Sequence, residues 1–290
     1  MLVLLTALLA TVIPGLIAWQ VALRWRRAHS LAPTIEDSTI RKQVRTHRRA
    51  FSFLLGRSDV VPTTGVLLIA SAIVIIAGAV GIGVMLIMIH TNSGLARLDH
   101  TFTLFGAHHA SHLSTSVLRI YTQVGGALVI VPLAVIVAAV ESWRQRTYAV
   151  VIFLALTVGG QFAIANLTKS LVNRARPSIS QLTGFSGSSF PSGHAVACAA
   201  GLTAMALVLG RGRSNQFKAA IVGIAVGLST GVAATRVLLG VHWLTDVLGG
   251  LLLGWAWYAL CSITFGGRRL KFGAPVIMVE QTPAPLNVDP

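Results

Sequence analysis

Read from its amino end, the chain alternates long apolar runs with short polar, mostly basic interruptions. Seven runs, near residues 2–23, 64–89, 120–140, 148–168, 194–210, 219–238 and 242–264, approach or reach the length of a helix that crosses about 30 Å of hydrocarbon. The run at 194–210 is short and is expected to begin within the polar zone of a bilayer. Together the runs predict an all-α fold, a polytopic membrane helical bundle, because a helix satisfies its own backbone polar groups in lipid. Residues 28–60 read as a polar, basic linker with no domain of its own. Within residues 90–119, Leu95, Leu98, Phe102 and Phe105 recur at helical spacing, which predicts a short amphipathic helix lying at the membrane surface. The stretch after residue 272 is rich in Pro and has no periodicity, so a disordered tail is expected there.

Small residues add a packing expectation. Gly223, Gly227 and Gly231 repeat every four residues in the sixth run, as Gly250 and Gly254 do in the seventh. Such stripes let helices approach closely in lipid, and here they predict that the sixth and seventh spans pack tightly together. Composition agrees with a membrane protein. The chain is 54% hydrophobic and only 11% charged, against about 25% charged in a soluble domain. Cys198 and Cys261 fall near opposite ends of their runs and are expected as apolar packing residues without a disulfide.

The net charge of +15 would suggest a nucleic-acid partner in a soluble protein. Here the basic residues cluster between apolar runs, so no nucleic acid is expected and topology is the better explanation. Seventeen of the 23 lie after the first, third, fifth and seventh runs, as in Arg24, Arg26 and Arg27 or Arg268, Arg269 and Lys271. That side is read as cytoplasmic, which starts the chain outside. A signal peptide is the rival reading of the first run. It lacks a positive leading segment, and basic residues follow it directly, so an uncleaved span is expected.

The remaining chemistry gathers at three places, all assigned to the outer face. "KSLVNRARP" puts Lys169, Arg174 and Arg176 at the outer end of the fourth run, where Pro177 ends the helix. Interfacial snorkelling would explain such cations equally well. "PSGH" places Ser192 as a natural N-cap, Gly193 where a ligand can approach the backbone, and His194 at the mouth of the fifth run. A helix N-terminus suits an anion, and simple capping is the alternative. In "TRVLLGVHWLTD", His242 and Asp246 are four apart and would share a helix face. A carboxylate holding one imidazole nitrogen leaves the other as a base or nucleophile of fixed tautomer. A structural His–Asp tie between helices would use the same pair.

Taken together, two histidines, the cations Lys169, Arg176 and Arg236, and a single carboxylate suit a phosphoryl group. The set lacks the carboxylate cluster that would hold Mg²⁺, so neither a metal nor another cofactor is expected. The outer-loop histidines His90, His100, His108, His109 and His112 pose a side question. His108 and His112 have a spacing that would suit Zn²⁺, with Asp99 as the acidic partner nearby; a wet interfacial helix is the plainer reading.

At this point the sequence resembles the type 2 phosphatidic acid phosphatase family. The residues that carry the resemblance are Lys169 with Arg176-Pro177, then Pro191-Ser192-Gly193-His194, then Arg236, His242 and Asp246, in order and at matching spacing. The family shares its helical core with vanadium haloperoxidases. The resemblance implies a six-span lipid phosphatase domain at residues 64–264, with residues 1–63 an additional span and linker and 265–290 a cytoplasmic tail. It also implies His242 as a nucleophile forming phosphohistidine, Asp246 as its orienter, and His194 as the acid and later the base. Lys169, Arg176, Ser192, Gly193 and Arg236 would hold phosphate oxygens. The third motif usually opens with Ser, and Thr235 stands there, keeping the hydroxyl. The role of Arg174 is left open.

The expectation is therefore a metal-independent phosphatase of the cell membrane, acting on a membrane lipid phosphate or diphosphate at the extracytoplasmic face. An isoprenyl diphosphate and a glycerolipid phosphate are both open as substrates. A soluble haloperoxidase is argued against by the seven runs. A transporter or scaffold would not need a nucleophile, an acid and cations on one face.

Overall fold

The computed structural model describes residues 1–30, 62–179 and 181–266; most of the expected linker and the expected tail lie outside these residues. All regular elements among them are helices. In chain order they are α1 (Leu2–Ser30), α2 (Pro62–Thr91), a short 3₁₀ turn (Gly94–Leu98), α3 (Asp99–His108) and α4 (His112–Thr122). A second 3₁₀ turn (Gln123–Gly125) leads to α5 (Ala127–Gln145), α6 (Ala149–Val172), α7 (Gly193–Leu209), α8 (Asn215–Leu238) and α9 (Leu244–Gly266). Among the described residues, α1, α2, α5, α6, α8 and α9 are long and apolar enough to cross a membrane, while α7 has only 17 residues.

The shortness of α7 follows from where it sits. Every residue from Ala195 to Ala200 is fully buried, because α5, α6, α8 and α9 surround the helix. A helix enclosed by protein need not match the bilayer thickness. Its Ala- and Gly-rich sequence instead lets neighbouring backbones come close. A Cβ on Gly254 would meet the Val196 carbonyl at 2.6 Å, and one on Gly250 the Ser192 carbonyl at 2.8 Å. The glycines of α9 therefore face α7. Cys198 and Cys261 are both buried, and neither is in a disulfide.

The stripe on α8 has a different partner from the one its spacing suggested. A Cβ on Gly223 would meet the Gly15 carbonyl at 2.8 Å, and one on Gly227 the Thr11 carbonyl at 2.6 Å. Both contacts belong to α1. The Thr230 hydroxyl also donates to the Ala10 carbonyl at 2.7 Å, and Thr11 and Tyr121 hydroxyls lie 2.8 Å apart. The two glycine stripes thus do not bind α8 to α9; one seats α1 and the other seats α7. Periodicity marks a face that accepts a close neighbour but carries no label for which helix fills it.

The segment between α2 and α5 also departs from the expected single surface helix. It forms α3 and α4, joined where Ser111 caps α4 in a reciprocal box with Ser114. The third span begins at Ala127 instead of near residue 120, since Gly126 is extended and interrupts the helix. At this joint Gly125 lies against the first turn of α7, where a Cβ would meet the His194 carbonyl at 2.9 Å. Glu141, near the opposite end of α5, is 3% exposed and paired with Arg144, a second carboxylate within a span besides Asp246.

If α1 is seated by the α8 stripe, Gly227→Val should force the helices apart. Overpacking of this kind costs about 1–3 kcal/mol. Thermal unfolding in detergent should show that loss, whereas Gly159→Ala, where a Cβ meets nothing within 4 Å, should melt like the native protein. Equal melting of the two variants would remove the close approach.

Candidate active site

Three chain reversals build one end of the bundle. The first follows α6, which ends where Asn173 adopts a left-handed conformation (φ 43°). The chain beyond it folds back on itself, with the Ser189 N–H donating to the Arg174 carbonyl at 2.8 Å. The second is the entry into α7 at Ser192. The third follows α8, where Gly240 takes φ 70°, a conformation that a side chain would strain. There the N–H groups of Val241 and His242 both return to the Arg236 carbonyl, at 3.2 and 3.3 Å. Arg236 thus contributes its side chain to the site and its carbonyl to the turn that carries His242.

His242 is 2% exposed and precedes α9, while Asp246 lies in the first turn of that helix and is fully buried. The pair therefore does not share a helix face as the four-residue spacing suggested. Asp246 reaches back over the helix start instead. Its Oδ2 accepts the Trp243 N–H at 2.9 Å and the Ser189 hydroxyl, and stands 3.5 Å from His242 Nδ1. The backbone of the same residue is tied to the second motif, since the Ser192 N–H donates to the Asp246 carbonyl at 3.0 Å.

The other ring nitrogen of His242 is 3.2 Å from Arg176 Nη1. A guanidinium has no lone pair to offer, so Nε2 must be the acceptor and Nδ1 carries the hydrogen, facing Asp246. Complete burial pushes the imidazole down to about 4, against the pull of Asp246 and with that of Arg176 and Arg236, which keeps the ring neutral. A neutral imidazole with its lone pair on Nε2 is the form that attacks an electrophile.

The remaining expected residues gather around this ring. Arg176 donates to four backbone carbonyls, those of Ser186, Gly187, Ser188 and Val241, at 2.7–3.2 Å, so it also braces the loop after α6. Arg236 is 4% exposed; Nη1 donates to the Thr122 hydroxyl at 3.3 Å, whereas Nε is buried without a partner. Ser192 holds the N-cap position of α7, yet its hydroxyl makes no cap bond and is likewise buried without a partner. A Cβ on Gly193 would lie 3.8 Å from Lys169 Nζ, so the cation faces the N-terminus of α7. Arg236, His242, Lys169 and Arg176 all lie near enough to act electrostatically on the His194 ring. The structure thus brings together Lys169, Arg176, Ser192, Gly193, His194, Arg236, His242 and Asp246. Thr235 is turned away, its hydroxyl donating to the Val232 carbonyl at 2.6 Å within α8.

Sequence reasoning gave no site role to four neighbours: Arg174, Asp99, Ser189 and Thr245. Arg174 Nη1 donates to Asp246 Oδ1 at 2.6 Å and to the Thr245 hydroxyl at 2.7 Å, and Nη2 to Asp99 Oδ2 at 2.7 Å. Asp99 Oδ1 also accepts the Thr245 N–H at 2.9 Å, and Ser189 completes the shell of Asp246. Arg174 lay between the motif positions and was legible as a site cation. Asp99 stood in the loop of histidines, and no spacing linked it to Asp246. Of those histidines, His109 bonds the Phe105 carbonyl through Nδ1 at 3.0 Å and packs on the Phe105 ring. Among the described residues, no three His, Cys, Asp or Glu side chains are grouped to hold a metal.

The amino-acid sequence is 34% identical over 135 residues to a phosphatidylglycerophosphatase B of Bacillus subtilis, covering 46% of this chain and 66% of that protein. It is 35% identical over 131 residues to a lipid A 1-phosphatase of Rhizobium johnstonii, covering 41% and 50% respectively. The chain thus spans about half to two thirds of the length of these curated relatives. The structure resembles that of a transmembrane PAP2-type phosphatidylglycerolphosphate phosphatase from Bacillus subtilis. The TM-score is 0.61 at 27% identity, covering 65% of this chain and 94% of that one. The family model described as PAP2 superfamily matches residues 148–270, which contain every one of the eight expected site residues. Over residues 148–270, which carry the whole site, the chain thus matches the PAP2 superfamily, on a helical bundle of the same kind as that of its solved relative.

Proposed function

We propose that this protein is an integral-membrane phosphatase that removes a phosphate from a membrane lipid through a phosphohistidine on His242. The observation that carries this reading is the setting of the His242 ring, from which its tautomer follows. Nε2 faces a donor that cannot accept, Nδ1 faces a carboxylate, and the ring is buried and neutral. The buried Arg236 Nε and Ser192 hydroxyl add two unpartnered polar groups beside Lys169 and the N-terminus of α7. Buried donors of this kind find partners, and a phosphate supplies acceptor oxygens in the required number. The relatives named for phosphatidylglycerophosphate and lipid A support a lipid as its carrier.

On this reading the Nε2 lone pair attacks phosphorus while the bond to the lipid oxygen breaks, and His194 gives its proton to that oxygen. The phosphoimidazole is left cationic, and Asp246 stabilises it. Water then attacks the phosphorus with His194 taking its proton, the P–N bond breaks, and phosphate leaves with His242 neutral again. Lys169, Arg176, Ser192, Gly193 and Arg236 hold the phosphate oxygens throughout. These cations and N–H groups do what Mg²⁺ would do in a carboxylate-lined site, so the reaction proceeds without metal. By the distribution of basic residues the site faces the extracytoplasmic side of the cell membrane, at the depth of lipid headgroups.

Three outcomes are expected. Rapid quenching with ³²P-labelled substrate should trap phosphoenzyme in His194→Ala and none in His242→Ala. Loss of the acid–base group should slow turnover by about 10²–10⁴-fold. Label retained in His242→Ala would move the nucleophile elsewhere.

Phosphate release from a panel of phosphatidic acid, phosphatidylglycerophosphate, lipid A and an isoprenyl diphosphate should continue in excess EDTA and be inhibited competitively by vanadate. Chelator-sensitive activity restored by Mg²⁺ would overturn the metal-free chemistry.

An impermeant thiol reagent applied to intact cells should label Ser186→Cys and spare Arg213→Cys at the opposite end, with buried Cys198 and Cys261 contributing little. The reverse pattern would put the site on the inner face.

A further inference from the structure

Asp99 is 4% exposed, in a segment that sequence analysis assigned to a surface helix. It opens α3, outside the residues matched by the superfamily, and stands 147 positions before Asp246. Its carboxylate has two uses. Oδ1 accepts the Thr245 N–H, one of the first-turn groups of α9 that have no partner within that helix. Oδ2 accepts the Thr245 hydroxyl and Arg174 Nη2, both at 2.7 Å. Arg174 in turn holds Asp246 Oδ1 through Nη1, with its guanidinium 5.6 Å from the Trp243 ring centroid. Asp99, Arg174, Asp246 and His242 therefore form one line of charged contacts running from the surface helices into the site.

A cap alone would need only an acceptor for Thr245, and Asn or Ser would serve. The second carboxylate on Arg174 calls for another explanation. A guanidinium paired with Asp246 alone would cancel the charge that a cationic phosphoimidazole needs beside it. With two carboxylates around one guanidinium, the group keeps a net charge of about −1, and the oxygen nearest His242 Nδ1 is Asp246 Oδ2, which only neutral donors, the Trp243 N–H and the Ser189 hydroxyl, otherwise meet. The planar fork also fixes the plane of the Asp246 carboxylate, which a lysine at position 174 would not do.

We propose that Asp99 and Arg174 are positioning residues for His242: Asp99 anchors the Arg174 guanidinium, which orients Asp246 and leaves its negative charge available to the imidazole. This rests on the reading of His242 as the nucleophile. Neither residue touches the reacting atoms, and their contribution passes through Asp246.

The test is a double-mutant cycle of Asp99→Asn and Arg174→Gln in the full-length protein, with Arg174→Lys and His242→Ala beside it. Asn at 99 keeps an acceptor for the Thr245 N–H but puts an amide NH₂ where Oδ2 receives Arg174 and the Thr245 hydroxyl, so it removes the charge and the ion pair while sparing the cap. Two readouts are taken: phosphate release from phosphatidylglycerophosphate in mixed micelles, and ¹⁵N-histidine NMR. His242 is assigned by the signal lost in His242→Ala. Asp99→Asn should lower kcat by roughly 10- to 100-fold, the usual size for losing a partner that orients a reacting ligand, with KM within about twofold. Its His242 signal should shift from a single Nδ1–H tautomer toward a mixture. In the Arg174→Gln background the same change should add almost nothing to either readout. Arg174→Lys should resemble Arg174→Gln, despite keeping the charge. An unchanged tautomer in Asp99→Asn, or effects that simply add, would overturn the proposal. A tautomer shift with kcat intact would leave the positioning in place and sink the nucleophile assignment instead.

Discussion

The end of the bundle that carries the site is organised around the burial of one carboxylate. Asp246 has no exposed surface, and a charge removed from water so completely must be met by donors on every side. Those donors come from separate parts of the chain. Arg174 and Ser189 belong to the loop after α6, Trp243 gives the backbone N–H that precedes α9, and the His242 ring stands on the remaining side with Nδ1 3.5 Å away. The Asp246 carbonyl also receives the N–H that leads into α7. Removing the carboxylate would therefore strand Arg174 and loosen the entries to two helices, beyond its effect on His242.

A buried network of this kind needs a rigid frame, and small residues supply it. Bulkier residues at Gly250 and Gly254 would hold α9 away from α7 and carry Asp246 away from Ser192. On the far side of α8, Gly223 and Gly227 admit the backbone of α1. The start of α1 reaches the site end as well. Val3 and Ala7 pack in one apolar cluster with Leu118 of α4 and with Leu238, Leu239 and Val241, which turn the chain toward His242. Close backbone packing and the charged shell thus depend on each other: the first fixes the distances that the second requires.

The site also divides labour among similar side chains. Four cations share a small volume, but their surroundings differ. Arg174 is held by two carboxylates, Arg176 by backbone carbonyls and His242, and Arg236 by a hydroxyl with Nε unpartnered, while Lys169 faces a helix N-terminus. Arg174 stabilises Asp246, and Arg176 braces the loop after α6 beside His242; in the proposed reaction Arg176 joins Lys169 and Arg236 in holding the anion. Residue type alone does not make this distinction, since all four read as clustered positive charge.

The apolar runs and their lengths determined the helical class and most of the helices, because exclusion of backbone polar groups from lipid leaves few alternatives. Three short motifs likewise determined which eight side chains would meet, since each motif contains its own local geometry: a helix end, a helix start, a glycine turn. Other features depended on contacts between distant segments, which no period or spacing encodes. The α8 glycines could have received α9 and instead received α1. His242 and Asp246 could have shared a helix face, but the chain turns at Gly240, and the carboxylate reaches back over the helix start. Asp99 read as one acidic residue in a histidine-rich loop. Only the packing of α3 against the start of α9 brought it to Arg174, because a buried charge finds its partner through space and leaves no mark of that choice along the chain.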